Sequence, residues 1–228
     1  MTKPLINIKN MYKIYQMGSE KVHALDGVDI EIYEHEFVAI IGASGSGKST
    51  LMNMIGILDT PTSGKYLFNN VNVANFEPDT QADFRRDKIG FVFQWYNLLP
   101  RLEAWKQVAL PLFYKGRGYE KRYKRAVEVL TQLWLKERLN HSPDMLSWGE
   151  QQRVCIGRAL ACNPDLILSD EPTGALDSKT GEDLLKLFTD LNKQGITMIM
   201  VTHDPEVASY AKKTIHIKDG LIHKIEKQ

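Results

Sequence analysis

The sequence predicts an α/β fold: a mainly parallel sheet with flanking helices, an N-terminal antiparallel β-subdomain and an inserted α-helical subdomain. Three observations carry this. The first third is a succession of short β-branched or aromatic runs separated by turn residues. Four runs, Phe37–Ile41, Ile89–Phe93, Leu166–Leu168 and Thr197–Val201, are almost wholly apolar, as strands buried on both faces of a parallel sheet are. From Trp95 to Ala161 the strand pattern nearly vanishes.

In chain order, Leu5–Lys9, Lys13–Gln16 and Val28–Tyr33 read as strands. In the third, Val28, Ile30 and Ile32 alternate with Asp29 and Glu31, which leaves one wet face. Phe37–Ile41 leads into a glycine-rich turn and an apolar helix from Lys48 to about Ile57. Tyr119–Leu135 places Tyr123, Ala126, Val127, Leu130, Leu133 and Trp134 on one helical stripe. Lys121, Arg122, Lys124 and Arg125 lie opposite, a solvated face that would also fit acidic lipid or a partner. Lys179–Asn192 carries Leu184, Leu187, Phe188 and Leu191 at helical spacing. No repeat, low-complexity stretch or flexible linker is visible. The expected organisation is one domain over 1–228, with a core of 1–94 and 163–228 and a helical insertion over 95–162.

Composition narrows the function classes. With 43% apolar and 25% charged residues in a chain of 228, disorder is excluded as the overall state. Lysine and arginine total 29 against 28 acids, so the basic surplus of a dedicated nucleic-acid binder is missing and no nucleic-acid partner is expected. The longest apolar runs fall far short of the roughly 20 residues that cross a bilayer. Met1-Thr2-Lys3-Pro4 leads into no apolar signal core, which predicts a cytoplasmic protein. Cys155 and Cys162, seven residues apart on a predicted helix, are separated by about 10.5 Å along its axis, too far for a disulfide.

Gly42-Ala43-Ser44-Gly45-Ser46-Gly47-Lys48-Ser49 satisfies the phosphate-loop pattern G-x-x-x-x-G-K-[ST], between a buried-type strand and an apolar helix. Glycines let the backbone wrap a polyphosphate, and successive N–H groups form an anion nest at the helix N-terminus. Lys48 supplies a compact cation for the β- and γ-phosphates, and Ser49 a hydroxyl ligand for Mg²⁺. Leu166-Ile167-Leu168-Ser169-Asp170-Glu171 is an apolar strand ending in two carboxylates, at the sheet edge where open α/β sheets bind ligands. Asp170 would hold Mg²⁺ through its water shell, and Glu171 would polarise the water that attacks the γ-phosphate.

Leu146-Ser147-Trp148-Gly149-Glu150-Gln151-Gln152-Arg153-Val154 reads first as a helix start, with Ser147 and Glu150 in an S-x-x-E capping box. The Ser147 hydroxyl and the Gly149 amide at that helix end would also bind a phosphate. If the insertion projects away from the core, they would serve the site of a second copy.

These ordered motifs resemble the nucleotide-binding domain of ATP-binding-cassette (ABC) transporters, whose core is a P-loop NTPase fold. The resemblance spans essentially the whole chain: the loop at 42–49, Gln94 ending a strand, LSWGEQQRV at 146–154, LILSDEP at 166–172, GALD at 174–177 and Thr202-His203-Asp204. VHALDGV at 22–28, GFVFQWYNLLPRL at 90–102 and DEPTGALDSKTG at 170–181 are most similar to the lipoprotein-releasing and macrolide-export group. The resemblance implies that Tyr15 stacks on adenine and that residues 42–49 with Thr50 hold the phosphates. It implies that Gln94 contacts Mg²⁺ and the attacking water, that His203 contacts the γ-phosphate and orients Glu171, and that Asp177 lines the opposite site across a dimer.

ATP and Mg²⁺ are the implied ligands, and two partners are implied. One is a second copy, bound through ATP. The other is a transmembrane permease subunit docking near the apolar cluster Trp95–Leu99, which would place the chain on the cytoplasmic face of the membrane. Alternatives within the fold are a division-type ATPase signalling through a membrane partner and a hydrolysis-impaired regulatory module. A small-molecule kinase would leave the signature unexplained, and a chromosome-organising ATPase would need coiled-coil arms that are absent. Departures from the family pattern include Trp148 at a glycine position of the signature, where a positive φ would be strained. Gly157 replaces an alanine, at a cost of up to about 1 kcal/mol in helix propensity, and His35 replaces a turn glycine.

Overall fold

The computed structural model describes residues 3–227; Met1 and Thr2 of the predicted N-terminal segment lie outside them. In chain order the elements are β1 (Ile6–Met17), β2 (Glu20–Ile32), β3 (Phe37–Ile41), α1 (Lys48–Ile55), β4 (Ser63–Phe68), β5 (Val71–Asn72), α2 (Pro78–Lys88) and β6 (Ile89–Val92). There follow α3 (Ala104–Tyr114), α4 (Tyr119–Gln132), α5 (Trp148–Leu160), β7 (Leu166–Asp170), α6 (Ser178–Lys193), β8 (Thr197–Thr202), α7 (Pro205–Ala208), β9 (Lys213–Lys218) and β10 (Leu221–Lys227). They divide into two compact units, residues 3–85 with 189–227, and residues 86–188.

The first unit holds an antiparallel sheet of order β2-β1-β4-β5. The two expected strands Leu5–Lys9 and Lys13–Gln16 are one strand, β1, interrupted by register shifts after Ile8, Met11 and Lys13. A bulge explains the break in pattern: Asn10 takes a φ of 49° and its N–H donates to Asp29 Oδ1 at 3.0 Å. In the same unit, β3 runs parallel to both β8 and β9, and β10 closes antiparallel on β9. All six residues of β8 and the first four of β3 are buried, as their unbroken hydrophobicity requires. Four of these strands, β4, β5, β9 and β10, are absent from the sequence reading. Asp219 and Gly220, with φ of 49° and 75°, form the tight turn that pairs β9 with β10, the conformation for which Asp-Gly is selected.

The second unit pairs β6 and β7 in parallel, Ile89 opposite Leu166 and Val92 opposite Ser169, and packs α3, α4 and α5 together. Gly157 of α5 faces the crossing of all three helices. A Cβ there would meet Val108 at 3.0 Å, Leu133 at 3.2 Å and Val129 at 3.4 Å. The helix-propensity cost of this glycine is therefore offset by closer helix approach. Buried Gln107 bonds with its amide to the backbone of Leu99 and Leu102, which fixes the loop ahead of α3.

Two expectations for α4 need correction. The helix ends at Gln132, not Leu135. Trp134 takes the left-handed conformation usual for glycine, with φ 59°, and the Leu135 N–H donates to the Leu130 carbonyl at 2.7 Å, a Schellman closure. Trp134 thus leaves the apolar stripe for the surface, with Arg153 over its ring. The cationic face is not uniformly solvated either. Arg125 donates to the carbonyls of Leu160 and Ala161 and so caps the end of α5, and Arg122 lies 5.0 Å from the Phe113 ring centre.

Gly157→Ala is expected to change stability by less than about 1 kcal/mol, because helix propensity and crowding oppose each other. Gly157→Leu, which must part three helices, is expected to cost about 3 kcal/mol in chemical denaturation.

Candidate functional site

The phosphate loop joins β3 to α1. Gly47 stands at the N-cap with φ 104° and Gly45 has φ 77°, conformations that reject side chains. The loop is also wedged against its neighbours. A Cβ at Gly42 would lie 2.3 Å from the Ile217 carbonyl oxygen and 2.6 Å from Ser46 Oγ, and one at Gly47 would lie 2.6 Å from the Ala24 carbonyl oxygen. Gly220 of the β9–β10 turn donates its N–H to the Ser46 carbonyl at 3.0 Å, and its own carbonyl accepts from the Asp26 N–H at 3.0 Å. A hairpin about 170 residues downstream therefore forms the floor of the loop.

Lys48 folds back over this loop, its Nζ donating to the carbonyls of Gly42 and Ala43 at 2.8 Å each. The ammonium is thereby held at the loop mouth. Ser46 Oγ is buried without a partner. Ala43, Ser44 and Gly45 are exposed, and so is Ser49 on the first turn of α1. This is a backbone concavity with a cation at its rim, suited to a polyphosphate.

Tyr15 lies in the same unit. Its hydroxyl donates to Asp59 Oδ2 at 2.9 Å and interacts with the Thr50 side chain. Lys13 Nζ donates to Asp59 Oδ1 at 2.7 Å and sits 4.8 Å from the Tyr15 ring centre. Partial burial and the neighbouring Asp59 carboxylate raise the Tyr15 pKa. Burial opposes ionisation of Asp59, but hydrogen bonds from Lys13, the Thr60 N–H and Tyr15 outweigh it and hold its carboxyl below the ordinary range. The proposed adenine-facing ring is thus tethered to the first turn of α1. His203, after β8, is exposed; Asp204 beside it caps α7. His35 does adopt a glycine-like φ of 65°, held by Thr197 Oγ1 accepting from its N–H and by the Gly195 carbonyl at its ring.

In the second unit, Asp170 ends β7 and Glu171 follows with φ 42°. That left-handed backbone at a non-glycine residue stores local strain. The Glu171 carbonyl accepts from the Gly174 N–H at 3.1 Å. A Cβ at Gly174 would lie 2.8 Å from Gln94 Nε2, so the bare glycine is what leaves room for the Gln94 amide. Gln94 and Asp170 each carry a hard oxygen donor, of the kind that suits Mg²⁺ rather than a softer metal. Among the described residues no group of three histidine, cysteine or acidic side chains forms a transition-metal site.

The signature segment starts α5. The Ser147 hydroxyl accepts from the Glu150 N–H at 3.3 Å, and Glu150 Oε2 accepts from the Ser147 N–H at 2.9 Å, which completes the expected capping box. Burial works against the Glu150 charge, yet Arg138 and the Ser147 N–H hold its pKa low. Gly149 packs against Thr180, whose N–H and hydroxyl both donate to Asp177. Trp148 lies in the first helical turn, outside the left-handed region, so the feared strain does not arise. Its ring is 64% exposed and tilts against Tyr96 at 5.8 Å. Beside it a cleft of about 580 Å³ is lined by Trp95, Tyr96, Leu98, Pro100, Pro143 and Gln151. Of the apolar cluster Trp95–Leu99, Trp95 and Leu99 are exposed, whereas Tyr96 is buried.

Residues 25–174 match the ABC transporter family. The chain belongs to that family. It is 51% identical over 228 residues to the ABC transporter ATP-binding protein MJ0796 of Methanocaldococcus jannaschii, a match covering 98% of this chain and 97% of that one. It is 50% identical over 222 residues to the macrolide export ATP-binding/permease protein MacB of Wolinella succinogenes, covering 97% of this chain and 34% of MacB. It therefore spans about a third of that relative's length. Among solved structures, a dimeric post-hydrolysis state of the MJ0796 cassette bound to ADP and Pi is similar with a TM-score of 0.87 at 49% identity, over 97% of this chain and 98% of that one. The P-loop NTPase architecture expected from the sequence is that of these ABC cassettes. Among the described residues no helix is long and apolar enough to cross a membrane.

Two outcomes follow from this geometry. Gly220→Val should weaken binding of a fluorescent ATP analogue at least about tenfold by unseating the loop floor, with Gly118→Ala, whose φ is −62° and whose Cβ would meet no neighbour, leaving it unchanged. Asp59 contributes stability in its ionised form, so its contribution is complete at neutral pH and is lost as pH falls through its depressed folded pKa. Asp59→Asn should therefore cost about 1–2 kcal/mol near pH 7 and converge with the parent in acid, once the pH is below the depressed folded pKa, in urea titrations.

Proposed function

We infer that this ABC cassette hydrolyses ATP as a homodimer and drives a separate membrane subunit of the export type. The observation that carries the reading is the loop at 42–49, shaped by close backbone packing into an anion cradle with Lys48 at its rim. The MJ0796 cassette, similar over nearly its whole length, is dimeric with ADP and Pi, which supports the dimer. The permease fused in MacB supports a membrane partner, and the cleft beside Trp95 suits its docking.

In this reading Tyr15 stacks on the adenine while the loop N–H groups and Lys48 bind the phosphates. Thr50 holds the Tyr15 hydroxyl beside them. Ser49, Gln94 and Asp170 would hold Mg²⁺, which when bound offsets charge on the β- and γ-phosphates. Glu171 accepts the proton of the attacking water at its carboxylate as the new P–O bond forms and the bond from Pγ to the bridging oxygen breaks. His203 donates a hydrogen bond to the γ-phosphate and orients Glu171. Ser147, the Gly149 N–H and Glu150 of a second copy cover the triphosphate from the other side, and Asp177 lines that seam. Loss of the γ-phosphate removes charge shared by both copies and releases them. Binding of the chain to the cytoplasmic face of a membrane follows from its partner.

Glu171→Gln should lower ATP turnover at least about a hundredfold while leaving the Kd for ATP within about threefold. For the parent chain, turnover per molecule should rise with protein concentration in the dilute range. A turnover independent of concentration at every dilution would contradict the homodimer.

A further inference from the structure

We propose that the turn joining α3 to α4 is a contact site for the anionic lipid headgroups of a membrane surface. Residues 113–124 hold five cations and one acid, a net +4 in a chain whose total is +1. The same twelve residues hold four aromatic rings, of which Phe113, Tyr114 and Tyr119 are 56%, 68% and 60% exposed. Tyr119 meets the Trp105 ring edge-on at 5.6 Å and Phe113 lies under Arg122, yet both rings, with Tyr114, stay more than half exposed, outside the interior built from Val108, Leu112, Ala126, Val129 and Leu130. Arg117, Lys121 and Lys124 are exposed and form no ion pair among the described residues.

At the foot of the turn, a recess of about 280 Å³ is lined by Arg86, Asp87, Tyr114, Lys115 and Arg117. The one acid there, Asp87, is already bound by Arg86 and Lys115 at 3.1 Å each. Burial opposes its charge, but those two cations prevail and hold its carboxyl below the ordinary range. The recess keeps a cationic excess that suits a phosphodiester. The combination decides the occupant. Lysine is depleted in protein interfaces, whereas lysine and arginine beside tyrosine and phenylalanine mark the membrane–water boundary, where rings settle at headgroup depth and cations meet anionic lipid. The site owes nothing to the phosphate loop or the signature, so it goes beyond the ATPase reading.

The test is co-sedimentation of the full chain, without nucleotide, with vesicles of phosphatidylcholine alone or mixed with phosphatidylglycerol. No membrane subunit is present, so the result is independent of transport and hydrolysis. Partitioning should favour the mixed vesicles at least about tenfold and weaken with salt. At about fivefold per cation, the combined change Arg117→Gln, Lys121→Gln and Lys124→Gln should lower it about a hundredfold, with ATP turnover and thermal unfolding unchanged. Tyr114→Ser with Tyr119→Ser should weaken binding but preserve its salt dependence. Equal partitioning into both vesicle types, or a triple variant that binds like the parent, would overturn the proposal. So would capture by immobilised polyglutamate or by a polynucleotide with none by vesicles.

Discussion

The nucleotide site depends on a steric constraint before it depends on charge. Any side chain at position 42 would drive a carbon into the Ile217 carbonyl, and one at 47 would strike the Ala24 carbonyl. The loop can turn its N–H groups toward a ligand only because its backbone lies directly on β9 and β2. Two hydrogen bonds through Gly220 complete the seat. Charge is then placed on a surface already built: Lys48 is held by the two loop carbonyls nearest β3. An anion arriving at this site finds donors that need little reorganisation, the condition under which backbone dipoles bind phosphate strongly.

The second unit follows the same logic with different materials. Its signature turn is held by a reciprocal cap and by packing of Gly149 on Thr180. The α5 helix carrying it is clamped at Gly157 by α3 and α4. Along one side of α5, Cys155 Sγ and Arg158 reach the Tyr96 carbonyl, Arg158 also reaches that of Asn97, and Trp148 meets the Tyr96 ring. Tyr96 and Asn97 have φ of 34° and 49°, a strained pair that these contacts hold in place. Burial pushes the Cys155 thiol up to about 12, so it acts as a small packing group rather than a thiolate. The tryptophan that departs from the family pattern is thus seated on the segment following Gln94, with an ordinary helical backbone.

Much of this was legible in the sequence because the site is written locally. The phosphate loop, the acids at the end of β7 and the capping box each lie within a few consecutive residues, with geometry that follows from short-range rules. The buried strands were legible for a similar reason, since β3 and β8 are apolar without interruption. What escaped is structure whose rationale is distant. The β9–β10 hairpin was signalled by Asp219-Gly220, but its role as the loop floor depends on contacts with residues 24, 42 and 46. Helix α2 buries only Gln81 of its eleven residues and has no apolar stripe to find. The end of α4 is not legible because Trp134 occupies a conformation normally taken by glycine, and composition alone does not show that Arg122 and Arg125 of the cationic face are engaged.

The central claim is that two copies share each triphosphate, one through its phosphate loop and the other through its Ser147 turn. Structure determination of the Glu171→Gln chain with ATP and Mg²⁺ tests it most directly. The expected result is a symmetric dimer with two nucleotides, each contacted by Lys48 of one copy and Ser147 of the other. ATP seated on the loop of a monomer, with Ser147 facing only solvent, would contradict it.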